Sequence, residues 1–293
     1  MQKRMFTSFF LAVGIFSQAA NAEPFNFDFV GDNIFVAGSH GQRLGQIVLG
    51  SEANISGSVI ASHYLGLGAG VNISGDACSG YVSQSPSANV EGAAGCSVDS
   101  GIGAMIAELS DSLLDYDASR TNVTESLTFD ASQNIYNVDS LLLDPQESLT
   151  ISGGANDWVV VNVYGQAKMG SGAAIKLEGG ITSNNVIFNF AQSWTYREFN
   201  IGGVEINGTF LSGGRDYILG DGATLDDTRF VTNGAIIANV QDVDYVGAPQ
   251  FEDGDYVNVP LNGAAVVLLM GAGALLYRRK QQKCCFNGVD LVV

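Results

Sequence analysis

A chain of 293 residues that is 46% hydrophobic and only 15% charged has enough apolar content to bury a sizeable core and lies far from the disordered class. Its net charge of −17 understates the acidity of its middle, where residues 23–260 hold 29 of the 30 acids but only seven of the 13 bases; Lys3, Arg4, Arg278, Arg279, Lys280 and Lys283 sit at the ends. Such a surface repels nucleic acid and anionic lipid, which excludes nucleic-acid binding, and it suits an exterior rich in cations.

At the start, Lys3 and Arg4 precede the apolar run Met5–Phe16, and Ala20-Asn21-Ala22 supplies small residues for cleavage. This pattern predicts a secretory signal peptide over 1–22 with Glu23 as the mature N-terminus; the run is short for a membrane anchor. With 37 glycines, five prolines and short β-branched and aromatic runs between them, the mature chain reads as all-β. Phe25–Phe29 alternates at period two and Ile34–Ala37 continues it, predicting opening strands.

A nine-residue motif then occurs twice, as Leu49-Gly50-Ser51-Glu52-Ala53-Asn54-Ile55-Ser56-Gly57 and as Leu67-Gly68-Ala69-Gly70-Val71-Asn72-Ile73-Ser74-Gly75. Its shape returns as Met169-Gly170-Ser171-Gly172-Ala173-Ala174-Ile175 and as Leu219-Gly220-Asp221-Gly222-Ala223-Thr224-Leu225. An aliphatic, a glycine free to take positive φ, and a second aliphatic six positions on suit one corner of a coiled stack, in which each rung buries its aliphatics on the next. The expected fold is therefore a β-solenoid. Ala77–Ser100 is poor in large apolar residues and reads as a surface excursion. It holds Cys78 and Cys96, predicted to pair in an exported, oxidising setting.

Ile102, Met105, Ile106, Leu109 and Leu113 fall on one helical stripe, with Glu108, Ser110 and Asp111 facing away, so one helix over about 101–115 should pack along the stack. Strands resume at Leu127–Asp130, Ile135–Leu143, Leu149–Ser152, Trp158–Tyr164, Asn185–Phe190, Val204–Leu211, Thr228–Val231 and Ala235–Val240. Asn162, Asn189 and Asn207 lie inside these strands, where asparagine is disfavoured, and they are read as stacking or closing turns. Trp194 and Tyr196 are the candidate binding residues, aromatics on a polar background that can stack on sugars, although Trp194 could equally extend the core. The chain turns acidic at Asp242, and the solenoid is expected to end by 251, with a stalk over 252–260.

Catalysis finds little support. His40 and His63 sit in no nucleophile motif, and the seven bases Arg43, Arg120, Lys168, Lys176, Arg197, Arg215 and Arg229 are scattered rather than grouped for an anionic sugar. A polysaccharide-acting β-helix enzyme stays as a minor alternative, since acids abound. No metal site and no cofactor are predicted. Calcium is the one ion worth naming, for the clusters Glu252-Asp253-Gly254-Asp255 and Asp221 with Asp226-Asp227, which do not fit the twelve-residue calcium loop.

At the far end Val259-Pro260-Leu261 opens an apolar segment to Tyr277, followed by Arg278-Arg279-Lys280. The segment 261–277 is expected to be a transmembrane helix with a basic cytoplasmic tail over 278–293, placing the mature domain outside. Val259, Pro260, Leu261, Arg278 and Arg279 resemble the VPLPA form of the PEP-CTERM sorting signal. That resemblance implies processing by an exosortase and delivery to the cell surface or exopolysaccharide matrix of a Gram-negative bacterium. An ordinary single-pass tail anchor is the alternative.

Gly-rich rungs, an Ala-Met-Ile-Ala-Glu-Leu helix, Val186-Ile187-Phe188-Asn189-Phe190, Gly208-Thr209-Phe210-Leu211 and Ile236-Ile237-Ala238 before Phe251 together resemble the choice-of-anchor A domain, over roughly Phe25–Phe251. That implies a non-catalytic adhesin with exopolysaccharide or another surface ligand as partner. The helix-interrupted solenoid is also similar to the bacterial ice-binding proteins. With no Thr-x-Thr pair and no threonine column in the rungs, ice binding ranks second.

Overall fold

The computed structural model describes residues 27, 29–191, 195, 198–221, 223–240 and 242–244. They form a β-solenoid of about nine turns with one helix. Every paired strand in it is parallel, with each rung hydrogen-bonded to the rungs above and below.

The order of rungs along the axis departs from the order along the chain. The stack begins with Thr121–Val123 and Leu127–Asp130, and it proceeds through the strands starting at Ile135, Val159, Val186 and Gly208 to Thr228–Thr232. There the first strand of the chain, Asn33–Ala37, docks, with Phe35 on Phe230, Val36 on Val231 and Ala37 on Thr232. Two further rungs, Ser58–Ala61 to Asn72–Ile73 and Ala77–Ser79 to Asn89–Val90, complete the far end. The helix Ile102–Ser112 then carries the chain back along the outside, so the first three rungs in sequence are the last three in space.

Three faces result, and the interior between them is packed with Phe35, Phe188, Phe190, Phe199, Phe210, Tyr217 and Phe230, all 0% exposed. Phe188 and Phe210 stack at 5.1 Å, and Phe210 and Phe230 at 5.2 Å. The first face, running from the strand at Thr121 to that at Ala77, points one row outward into a second core. Val160, Ile187, Leu211, Val231 and Val36, one from each of five consecutive rungs, meet Ile102, Ile106, Leu109 and Leu113 of the helix. The near-continuous apolar runs of these strands follow from this burial on both sides.

The helix is held at its end by polar groups as well. Its last carbonyls have no partner within the helix. Asn189 Nδ2 donates to the Ser110 carbonyl at 2.9 Å and to Asn162 Oδ1 at 3.0 Å, while Ser110 Oγ donates to Asn189 Oδ1 at 2.7 Å. Asn162 Nδ2 donates to the Leu113 carbonyl at 2.7 Å and to Asn137 Oδ1 at 3.1 Å. The two asparagines thus stack as expected, and Ser110, expected to face away, is fully buried against them.

Other expectations are corrected. Phe25–Phe29 does not run as a strand where it is described: Phe29–Asp32 is a turn, set by Gly31 at φ +51° and by Asn33 Nδ2 donating to the Val30 carbonyl. Ala77–Ser100 is no loop excursion over its first half, because Ala77–Ser79, Val82–Gln84 and Asn89–Val90 make the ninth rung. A terminal rung covers one neighbour only, so it needs few large side chains. The strand expected at Val204 begins at Gly208, leaving Asn207 ahead of it with Nδ2 donating to the Ile175 carbonyl at 3.2 Å. Asp242–Asp244, inside the span expected to run to 251, is a strand paired with Asn54–Ile55.

All four copies of the repeated motif lie at one corner, between the second and third faces. The residue with positive φ is not the glycine after the aliphatic but one two positions later: Glu52 (+65°), Gly70 (+72°) and Gly172 (+76°), with Gln146 (+69°) at the same corner. The earlier glycine serves close approach instead, since a Cβ on Gly68 would stand 2.8 Å from the backbone of Gly50 in the next rung. Among the described residues no helix is long and apolar enough to cross a membrane. The signal peptide 1–22, the stalk 252–260, the span 261–277 and the tail 278–293, with Val259, Pro260, Leu261, Arg278 and Arg279, lie outside the described residues.

Candidate functional site: the outward faces of the solenoid

A strand points alternate side chains outward, and a parallel stack aligns them into columns at the strand spacing of about 4.8 Å. Each face is therefore a ruled surface whose chemistry is fixed by two positions per rung. The first face is covered by the helix, which leaves the second and third.

The third face carries one column of aligned positions along most of the axis, polar except at Ala174, which is 5% exposed. Ser148, Ala174, Glu205 and Thr224 follow one another in register. The column continues through the backbone position of Asp242 to Asn54, Asn72 and Asn89. Asn89 Nδ2 donates to Asn72 Oδ1 at 2.8 Å, which holds both amides in line. Beside it, at one end, Thr128, Thr150 and Lys176 are aligned. At the other end stand Ser56, Ser74 and Glu91, all exposed. Thr128 and Thr150 are in register on adjacent rungs although 22 residues apart in sequence, with Thr128 exposed and Thr150 only 9% exposed. The inward neighbours Leu149, Ile151, Ile175, Ile55 and Ile73, at most 2% exposed, fix the rows from beneath.

The second face is uneven. Its outward positions run Glu198 and Asn200, Asp216 and Ile218, Ala235 and Ile237, Gln46 and Val48, Tyr64 and Gly66, then Tyr81 and Ser83. Arg43 and Asp216 form an ion pair at 3.2 Å, and Asp216 Oδ1 also accepts the Ala235 N–H at 2.8 Å.

The end of the stack is closed at the ninth rung. Cys78 and Cys96 are disulfide-bonded with Cα atoms 4.5 Å apart, and Ala94 bridges Ala77 as a further partial strand. Among the described residues the one group of three ligand-type side chains close enough to share an ion is Asp76, Cys78 and Cys96, and the disulfide spends two of its three atoms. Asp130, at the opposite end, is held below the usual carboxylate range by its hydrogen bonds to the Ser132 side chain and backbone. Asp111 on the helix is raised by partial desolvation, opposed by the charge of His40. Trp194 and Tyr196 lie outside the described residues.

The two open faces are thus ruled by columns of side chains on a β-solenoid, and beside the second face the described residues Gln166, Lys168, Thr195, Glu198 and Asn200 line a pocket. Residues 11–240 match the family described as "Putative Ice-binding-like adhesive domain", and the chain belongs to that family. Solved structures with similar coils include an ice binding protein from an Antarctic biological consortium, at 13% identity and TM-score 0.49, covering 77% of this chain and 92% of that one. An ice-binding protein from the Antarctic ascomycete Antarctomyces psychrotrophicus matches at 15% identity and TM-score 0.48, over 77% and 99% of the two chains. The ice-binding protein LeIBP of an Arctic yeast matches at 17% identity and TM-score 0.46, over 78% and 97%. No curated protein matches the chain.

Proposed function

We propose that the protein is an exported, non-catalytic adhesin of the ice-binding-like kind, and that the surface it holds is ice, gripped through the third face. The observation that carries this reading is the register-aligned column from Ser148 to Asn89, with exposed Thr128 beside it. Where the column carries hydroxyl or amide groups, at Ser148, Thr224, Asn54, Asn72 and Asn89, these groups on a rigid backing can hold ordered waters, and the solenoid offers them over several rungs. The family's own description points the same way. The test is the growth of single ice crystals in the purified full-length chain. Faceted crystals with a gap between melting and freezing points support it, and rounded crystals with no gap refute it.

Adhesion to the exopolysaccharide matrix is the second reading, favoured by the tyrosines on the second face. Both readings take the protein to the outside of a Gram-negative cell: the segment 1–22 as signal peptide, 261–277 as the membrane-engaging sorting helix, and Val259, Pro260 and Leu261 with Arg278 and Arg279 as the exosortase-directed tail.

A further inference from the structure

The second face bears a feature that contact with ice does not use. Tyr64 and Tyr81 are neighbours on the eighth and ninth rungs, where the Leu65 N–H donates to the Tyr81 carbonyl at 2.9 Å. Their rings are inclined by 21° with centroids 5.8 Å apart. The edge of the Tyr64 ring rests over Gly66, where a Cβ would come within 3.0 Å of it, so the glycine makes room for the ring. Tyr81 is 63% exposed, and Leu44 (51%) and Val48 (37%) stand on or beside the same face. Of the five large hydrophobic residues exposed among those described, three are gathered here. Val48 continues into half-buried Ile237 and Ile218 on the preceding rungs. Scattered exposed hydrophobics need no explanation, but a contiguous stripe of them marks a contact surface.

We infer that this stripe is a binding subsite for a neutral polysaccharide, with Tyr81 and Tyr64 as its stacking platform. The exposed Tyr81 ring and the half-buried, near-parallel Tyr64 ring offer apolar surface to the C–H face of a sugar, and Gln46 and Ser83, in the same columns, supply donors and acceptors for hydroxyls. The charge pattern selects against the rivals. The neighbouring cation, Arg43, is already paired with Asp216, so among the described residues no free lysine or arginine stands beside the stripe for a uronic-acid polymer. A second copy would bring another −17 against a face that already holds Glu198 and Asp216. The subsite lies on a different face from the third-face column and stands or falls independently of ice binding.

The experiment is affinity electrophoresis of the full-length chain through gels containing galactomannan, with alginate as the anionic comparison, alongside retention on cellulose. The wild type should be retarded by galactomannan or retained by cellulose and pass alginate freely. Tyr81→Ala should weaken this by about tenfold or more, Tyr81→Phe should retain it, and both should adsorb to ice as the wild type does. Failure to engage either neutral glycan overturns the inference. So does unchanged affinity in Tyr81→Ala with a wild-type melting temperature, or a concentration-dependent dimer that this variant abolishes.

Discussion

Phe35 and Phe230 sit in register on adjacent rungs with ring centroids 5.9 Å apart, although one lies near the start of the described chain and the other near its end. This contact welds the three N-terminal rungs onto the last rung of the C-terminal stack and makes one continuous solenoid from two runs of chain. Both rings are fully buried. Phe35→Ala should therefore destabilise the protein by about 3–5 kcal/mol. Denaturant unfolding checks the value, and two separated transitions would further identify this junction as the place where the stack parts.

The asparagine ladder gives a sharper prediction. Asn189→Ala removes the partner of the Ser110 carbonyl and hydroxyl together, both in a fully buried site. A loss of about 1–3 kcal/mol is expected for buried groups left unsatisfied. A double-mutant cycle with Ser110→Ala should be strongly non-additive, since each variant breaks the same bond.

At the repeated corner the two kinds of glycine position separate cleanly. Gly68→Ala must push its Cβ against the backbone of Gly50 and should lower the melting temperature. Glu52→Gly should raise stability by up to about 1 kcal/mol, because Glu52 already occupies the left-handed region that glycine adopts without strain. Thermal melts of the two variants check both signs.

Asp111 sets a pH dependence. Its folded pKa is raised, chiefly by desolvation, so the folded state holds the proton more tightly than the unfolded chain and stability falls as pH rises through the window above 3.8. Asp111→Asn should flatten that fall, giving a small gain in melting temperature at pH 7 and none at pH 3.

Much of this architecture is legible in the sequence. Strands such as Leu127–Asp130 and Ile135–Leu143 are bounded as their apolar runs suggest, and the helix stripe marks the residues that pack on the first face. The repeat is visible because the corner imposes the same aliphatic spacing on the four rungs that carry the motif. The rung order was not visible, because parallel edges are interchangeable until their inward side chains meet, as Phe35 and Phe230 do only in space. The contact columns were hidden for a related reason. Asn54, Asn72 and Asn89 recur at nearly even spacing within one run, but Ser148, Ala174, Glu205 and Thr224 share a column across loops of unequal length. The aromatic platform is hidden in the sequence because Tyr64 and Tyr81 are 17 residues apart and flank inward residues, whereas Trp194 and Tyr196 stand close together on a polar background.

The central claim is that the third face holds ice. The direct measurement is adsorption of fluorescently labelled full-length protein to a single growing ice crystal, for the wild type, for Ser74→Tyr, which plants a bulky ring beside the Asn72 column, and for Tyr81→Ala on the second face. Bright, faceted ice is expected with the wild type and with Tyr81→Ala, and dark, rounded ice with a folded Ser74→Tyr. Dark, rounded ice with the wild type, or equal brightness with Ser74→Tyr, would contradict it.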